Sequence, residues 1–200
     1  VNIAQPAVVR IITKLGARLS VQFTSTSAAV TFPLSGGTYT LTLSGSGAFV
    51  SAHGDILTAD HVVNPPHDAS MDDALYQTAA QDVADYVNAH YQVTNGPFTA
   101  NDAYADLSQQ YLPSTSSYDQ PTSTIYLNTA YTVQLSAAKL ANLPKGDSAI
   151  VDRIEAQSSF DANDVAIVHV SGLDNMPSIQ LDDSTQVAVQ DNLTIIGFPG

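Results

Sequence analysis

The chain has 200 residues, 44% of them hydrophobic, and carries a formal net charge of −13 at pH 7. This hydrophobic share is ordinary for a globular protein and sufficient for a core. Only six Lys and Arg residues stand against nineteen Asp and Glu, so there is no basic surface for a nucleic acid. The apolar runs are too short to span a membrane, and the absence of cysteine excludes disulfides and thiolate metal sites.

Residues 1–63 predict a β-rich region in which short apolar runs alternate with turn residues. Ser35-Gly36-Gly37 and His53-Gly54-Asp55 are the clearest turn signals. Strands are expected at residues 7–12, 19–23, 28–32, 38–43, 48–51 and 56–59.

The pattern changes after Asn64-Pro65-Pro66 and becomes helical. Apolar residues recur every four positions between 70 and 91, which predicts a helix with Ser70 and Asp73 as its capping box. A second helix is expected to start at Thr99–Asp102 and to stop before Pro113. Residues 114–123 predict a loop.

Strand character returns in the last third of the chain. A short helix is expected at residues 136–142. Strands are expected at residues 124–127, 131–135, 149–154, 165–170 and from 192 into the Gly197-Phe198-Pro199 turn.

The segment Gly45–Val63 carries the most specific motif of the chain. Its residues Gly45, Gly47, Gly54, the Leu57-Thr58-Ala59 run and His61-Val62 match a long pattern. This pattern resembles the histidine motif of chymotrypsin-fold serine proteases, particularly the bacterial HtrA-like branch. The resemblance implies that His61 is the general base, a role that suits imidazole near neutral pH. Asp60 departs from the family's usual small residue and is expected either to raise the pKa of His61 or to point into solvent.

Asp164 directly precedes the apolar run Val165–Val168. This arrangement resembles the family's aspartate motif, in which a carboxylate accepts the imidazole N–H and fixes its tautomer. Asp161 is the nearest competitor, and a plain loop aspartate is the structural alternative. The order of histidine before aspartate is that of the chymotrypsin-fold enzymes.

Residues 181–200 are similar to the segment that opens the second barrel of this family. The resemblance therefore implies a mainly β, chymotrypsin-like double β-barrel with a helical insertion between His61 and Asp164. Residues 1–63 and 124–147 would form the first barrel, 64–123 the helical insertion, and 148–200 the inter-barrel segment with the start of a truncated second barrel. The insertion could be a lid, a substrate-selecting wall, an oligomer contact or a decorative subdomain.

The nucleophile motif of the family, Gly-[Asn/Asp]-Ser-Gly-Gly, does not occur in these 200 residues. Gly45-Ser46-Gly47 imitates it but precedes His61, so Ser46 is expected to have a structural role. A serine beyond Gly200 would attack the peptide carbonyl. Protein or peptide substrates and the C-terminal remainder of the same protein are therefore the expected partners, and the 200-residue chain alone is expected to be inactive.

Two alternatives to a serine endopeptidase are a non-catalytic binding or regulatory module on a protease fold, and an acidic all-β surface protein without protease ancestry. No cofactor or metal is expected, because the acidic pairs Asp72-Asp73 and Asp182-Asp183 lack calcium-loop spacing and the histidines form no H-x-x-x-H pair. The low lysine content and many Ser, Thr and Gln residues favour a secreted or cell-surface bacterial protein.

Overall fold

The structure is a computed structural model, and it describes residues 4–94, 96–127, 147–182, 188 and 194–198. In these ranges a 3₁₀ turn at Gln5–Ala7 precedes nine strands and three α-helices. The strands are β1 (Val8–Val21), β2 (Val30–Phe32), β3 (Tyr39–Phe49), β4 (Asp55–Thr58), β5 (Ser114–Tyr118), β6 (Thr122–Leu127), β7 (Ser148–Ile150), β8 (Arg153–Ser158) and β9 (Val165–His169). The helices are α1 (Asp60–Val63), α2 (Ala69–His90) and α3 (Ala100–Ser108). The predicted mainly β architecture is confirmed.

The chain divides into two compact units. The first contains Val1–Lys14, Thr42–Pro65 and Pro121–Gly200, and the second contains Leu15–Leu41 and Pro66–Gln120. Each unit is a group of residues that contact one another, and the domain boundaries predicted at residues 63, 123 and 147 stay a prediction.

The strands of the first unit follow the order β7-β6-β1-β3-β4-β9-β8. The pairs β6–β7, β1–β6, β3–β4, β4–β9 and β8–β9 are antiparallel. The unit uses the first half of β1, where Ile11 faces Ile125 of β6, and the second half of β3, where Phe49 faces Ile56 of β4. Alternate residues of these strands are buried, as the period of two along a strand requires. Their apolar side chains form one core cluster, which includes Val9, Ile11, Phe49, Ile56, Val62, Val63, Ile125, Ala166 and Val168.

The second unit pairs the other half of β1 with two strands. Leu19 is opposite Phe32 of β2 and also opposite Ser116 of β5. Helix α2 buries one face, made by Met71, Leu75, Ala79, Ala80, Val83 and Ala84, which confirms the first part of its predicted apolar repeat. No helix in the described part of the chain is long and apolar enough to cross a membrane.

The ends of the two longer helices follow ordinary capping chemistry. Asp68 caps α2, because its side chain accepts hydrogen bonds from the backbone N–H groups of Ser70 and Met71. The predicted capping box of Ser70 and Asp73 is therefore wrong by two residues. Thr99 and Asp102 form a capping box at the predicted start of α3, and this helix ends at Ser108, several residues earlier than expected.

Several predicted elements have different limits in the structure. The strands predicted at 7–12 and 19–23 are one continuous strand, and so are those at 38–43 and 48–51. The loop predicted at 114–123 contains β5, and the strand predicted at 149–154 is two strands. Residues 194–198 have no regular secondary structure, so the strand predicted there is wrong. The elements predicted at 131–142 lie outside the described residues.

Candidate active site

His61 lies in α1, immediately after β4. Ala59 is extended, and the chain then turns into four helical residues whose Val62 and Val63 side chains are buried in the core of the first unit. The glycine at position 45 is required by this packing, because a Cβ atom there would lie 2.5 Å from Cγ2 of Val62. The buried side chains of Val62 and Val63 thus hold α1 against the core, while the imidazole of His61 stays half-exposed.

Asp164 follows the turn that leads into β9. Its backbone has a φ of 49°, in the left-handed region that few residues other than glycine adopt, although aspartate tolerates it better than most. The turn is closed by a hydrogen bond from the Asp164 N–H to the Ser159 carbonyl, at 3.1 Å. Local strain of this kind is found where the surrounding structure holds a functional side chain in place.

The pairing of β4 with β9 brings the two residues together. Thr58 is opposite Ala166 in the antiparallel register, so His61 and Asp164 leave the ladder at the same end. Nδ1 of His61 lies 2.7 Å from Oδ2 of Asp164, and the backbone N–H of His61 donates to Oδ1 at 3.0 Å. A single carboxylate therefore holds both the ring and the backbone of the histidine.

The electrostatics of this pair favour an ionised aspartate. The pKa of Asp164 is lowered, first by the hydrogen bond from the His61 backbone N–H and then by the imidazole, while partial burial opposes the shift. An ionised carboxylate can only accept hydrogen bonds, so the imidazole must donate through Nδ1–H. In the neutral ring the lone pair is then on Nε2, which is the tautomer a general base needs.

Phe160 is a neighbour of His61 that was not predicted from the sequence. The ring of Phe160 lies edge-on to the imidazole, with centroids 5.9 Å apart, and is 51% exposed. Asp60 is 1% exposed, so the expectation that it might point into solvent is wrong. Its Oδ2 accepts a long hydrogen bond from Asn64, and its Oδ1 has no hydrogen-bond partner among the described residues.

Ser46 has contacts that agree with a structural role. Its hydroxyl accepts a hydrogen bond from the backbone N–H of Phe198 at 2.6 Å, and its carbonyl accepts one from the Thr58 hydroxyl at 2.9 Å. Within the described part of the chain, no serine hydroxyl forms a hydrogen bond with the His61 ring, whose hydrogen bond is to Asp164.

A histidine oriented by a carboxylate at the end of an antiparallel strand pair is an arrangement used by hydrolases that rely on a general base. The family described as "trypsin-like peptidase domain" matches residues 45–200, which is more than half of the chain. The chain therefore belongs to the trypsin-like peptidase domain family. This membership and the mainly β structure confirm the predicted partial chymotrypsin-like fold.

Comparison with solved structures gives distant similarities. The HtrA-type protease AlgW, solved with a decapeptide, is 13% identical and has a TM-score of 0.40, and the match covers 95% of this chain and 37% of AlgW. A variant of AlgW with a decapeptide has the same identity and TM-score, with 36% of that protein covered. The chain thus spans little more than a third of these proteins. No curated protein matches the sequence.

Proposed function

We propose that this chain supplies the histidine and the aspartate of a serine endopeptidase, with His61 as general base and Asp164 as the residue that orients it. The observation that carries the proposal is the double hydrogen bond of Asp164 to Nδ1 and to the backbone N–H of His61. Family membership supports the same chemistry, because trypsin-like peptidases cleave peptide bonds.

The proposed reaction begins when a serine hydroxyl attacks the peptide carbonyl. Nε2 of His61 takes the hydroxyl proton as the bond between serine oxygen and carbonyl carbon forms. The imidazolium is stabilised by the Asp164 carboxylate and then gives this proton to the departing amine, which leaves an acyl-enzyme. Water, deprotonated by the same imidazole, hydrolyses the ester and restores the serine. We place this serine in a part of the protein beyond Gly200, because the sequence to Gly200 contains no Gly-x-Ser-Gly-Gly.

The test uses the full-length protein, a fluorescent fluorophosphonate that labels activated serines, and an unstructured protein such as casein as substrate. His61→Ala and Asp164→Asn should each lower kcat by about a thousandfold or more. His53→Ala is the matched control, since His53 also lies beside an aspartate, Asp174, but on an exposed turn with an Nδ1–Oδ1 distance of 3.2 Å. Normal turnover in either active-site variant would refute the assignment.

The same experiment separates the enzyme from the alternative of a non-catalytic module. If the full-length wild type neither reacts with the fluorophosphonate nor cleaves the substrate, the binding or regulatory interpretation is supported. The 200-residue chain alone is expected to show no labelling, and a labelled serine within residues 1–200 would contradict the proposed position of the nucleophile. A secreted or cell-surface location is part of the proposal and is tested by fractionating the cells that produce the protein.

A further inference from the structure

A second group of chemically active side chains lies away from His61, on three neighbouring strands of the first unit. Asp55 begins β4, His169 ends β9, and Glu155 lies in β8. One donor atom from each of the three lies within 4.8 Å of the other two. Asp55 and His169 are direct partners in the antiparallel register, and Glu155 lies at an irregularity between Ile154 and Ala156. Such bulges change the direction in which a side chain points.

Two of these three side chains are already held in position. Nδ1 of His169 lies 2.7 Å from Oδ1 of Asp55, and the Ser51 hydroxyl donates to Oδ2 of the same carboxylate at 2.6 Å. The His169 side chain is only 17% exposed, so its ring has little freedom. Metal ligands must be deprotonated, so a cation shared by Nδ1 of His169 and Oδ1 of Asp55 would replace the proton of this hydrogen bond.

Glu155, the only glutamate of the chain, is the exposed member of the group. Arg153 contacts its Oε1 through Nε at 2.7 Å and through Nη2 at 2.5 Å. Both contacts involve the same oxygen, so Oε2 can turn toward Asp55 and His169. Glu155 is exposed on a strand at the end of the strand order, and a change of its rotamer there disturbs no core packing.

We propose that Asp55, Glu155 and His169 bind a divalent first-row cation such as Zn²⁺. One imidazole and two carboxylates form a donor set of borderline softness, which suits zinc better than the all-oxygen sets preferred by calcium and magnesium. Three protein ligands with one position left for water are a common zinc arrangement, with bonds of about 2.0–2.2 Å to nitrogen and oxygen. The net charge of −13 further favours a cation, whereas the nearby Arg153 opposes it.

A cation at this place would join β4, β9 and β8. His169 ends the strand that Asp164 precedes, so the cation would lie roughly 15 Å along the chain from the candidate active site. It would stabilise the pairing of β4 with β9, which brings His61 and Asp164 together. The inference does not depend on the proposed peptidase activity, because it concerns binding alone.

The test uses the full-length protein after treatment with a chelator and dialysis. Zinc chloride is titrated in competition with a chromogenic zinc indicator, and thermal unfolding is recorded with and without zinc. We expect a saturable site and a rise in Tm of about 5–10 °C at a hundredfold excess over Kd. Asp55→Asn and His169→Ala should each raise Kd by at least about tenfold and abolish most of the Tm shift.

The controls separate this site from other histidines. His53→Ala and His61→Ala should keep the zinc affinity of the wild type, since neither residue belongs to the proposed site. If Asp55→Asn or His169→Ala fails to fold, Glu155→Gln decides: weaker binding supports the site, and unchanged binding refutes it. Absence of zinc binding by the wild type, or loss of binding in His61→Ala with retention in His169→Ala, would overturn the proposal.

Discussion

The hydroxyl of Thr13 is predicted to stabilise α1, the helix that carries His61, through a hydrogen bond. The residue is fully buried in β1, and its hydroxyl donates to the Val62 carbonyl at 2.5 Å. It also lies 2.7 Å from the Ser123 hydroxyl. Because the Thr13 hydroxyl has one hydrogen, which points at Val62, Ser123 must donate to Thr13. The network therefore runs from Ser123 through Thr13 to the residue after His61.

The replacement Thr13→Val keeps the shape of the side chain and removes the hydroxyl. It leaves the Val62 carbonyl without this donor and the Ser123 hydroxyl without this acceptor. An unsatisfied buried polar group costs about 1–3 kcal/mol, so we expect a loss of about 2–4 kcal/mol in the free energy of unfolding. Ser123→Ala removes only the hydrogen bond between the Ser123 and Thr13 hydroxyls and should lower the free energy of unfolding by about 1 kcal/mol.

The two substitutions should not be additive. In the Thr13→Val background, Ser123→Ala removes a hydroxyl that has lost its acceptor, so the double variant should be no less stable than Thr13→Val alone. This corresponds to a coupling of about 1–2 kcal/mol. Urea unfolding measures it, and with an m-value of about 2 kcal/mol/M the midpoint of Thr13→Val should fall by about 1–2 M.

A matched control exists at Thr31, whose hydroxyl lies 2.9 Å from that of Ser20 on an exposed surface. Thr31→Val makes the same chemical change where water can replace the partner, and it should alter stability by less than about 0.5 kcal/mol. An equally small effect of Thr13→Val would refute the reasoning. Additive losses in the Thr13 and Ser123 variants would refute the hydrogen bond between the two hydroxyls.

Three further predictions concern the site and the helices. Because the pKa of Asp164 is lowered, its carboxylate stabilises the fold above about pH 4 and loses this effect as the pH falls through the folded value; the stability difference between wild type and Asp164→Asn, measured by urea unfolding, should shrink below about pH 4. Phe160→Ala removes the exposed ring beside His61 and, under the proposed function, should change kcat/KM for peptides with bulky apolar residues by about three- to tenfold; equal values for all peptides would contradict this. Thr99→Ala removes the cap of α3 and should cost about 1 kcal/mol, whereas Thr78→Ala, at an exposed position inside α2, should not destabilise the protein.

Two local motifs indicated His61 and Asp164 as candidate site residues, and the structure places their side chains in contact. His61 and Asp164 each adjoin a short apolar run, and the motif is local in both cases. Their contact depends on the register of β4 with β9, which no local pattern specifies. The 2.7 Å distance between Nδ1 and Oδ2 could therefore be expected only through the resemblance to a family.

The errors in the strand limits have physical causes. Lys14, Gly16 and Arg18 separate the two apolar runs that were predicted as separate strands, but β1 continues through all three residues. Gly16 has a packing role. A Cβ atom at this position would come within 2.9 Å of the Thr38 hydroxyl, so the glycine permits close packing and does not form a turn. Residues 114–118, Ser-Thr-Ser-Ser-Tyr, have a loop composition and nevertheless form β5, because the long β1 offers them a partner.

The strand pair β4 and β9 carries a histidine and an aspartate at each end, and the two pairs have the same Nδ1–oxygen distance of 2.7 Å. A His–Asp hydrogen bond alone therefore does not define a catalytic site in this protein. The surroundings differ: Phe160 adjoins the half-exposed ring of His61, whereas a third donor, Glu155, adjoins His169. A second carboxylate completes the group of ligands proposed for a cation, whereas the half-exposed imidazole of His61 lies beside an aromatic ring. Under the two proposals, the third neighbour of each pair is thus the feature that distinguishes a cation site at one end from a proton-transfer site at the other.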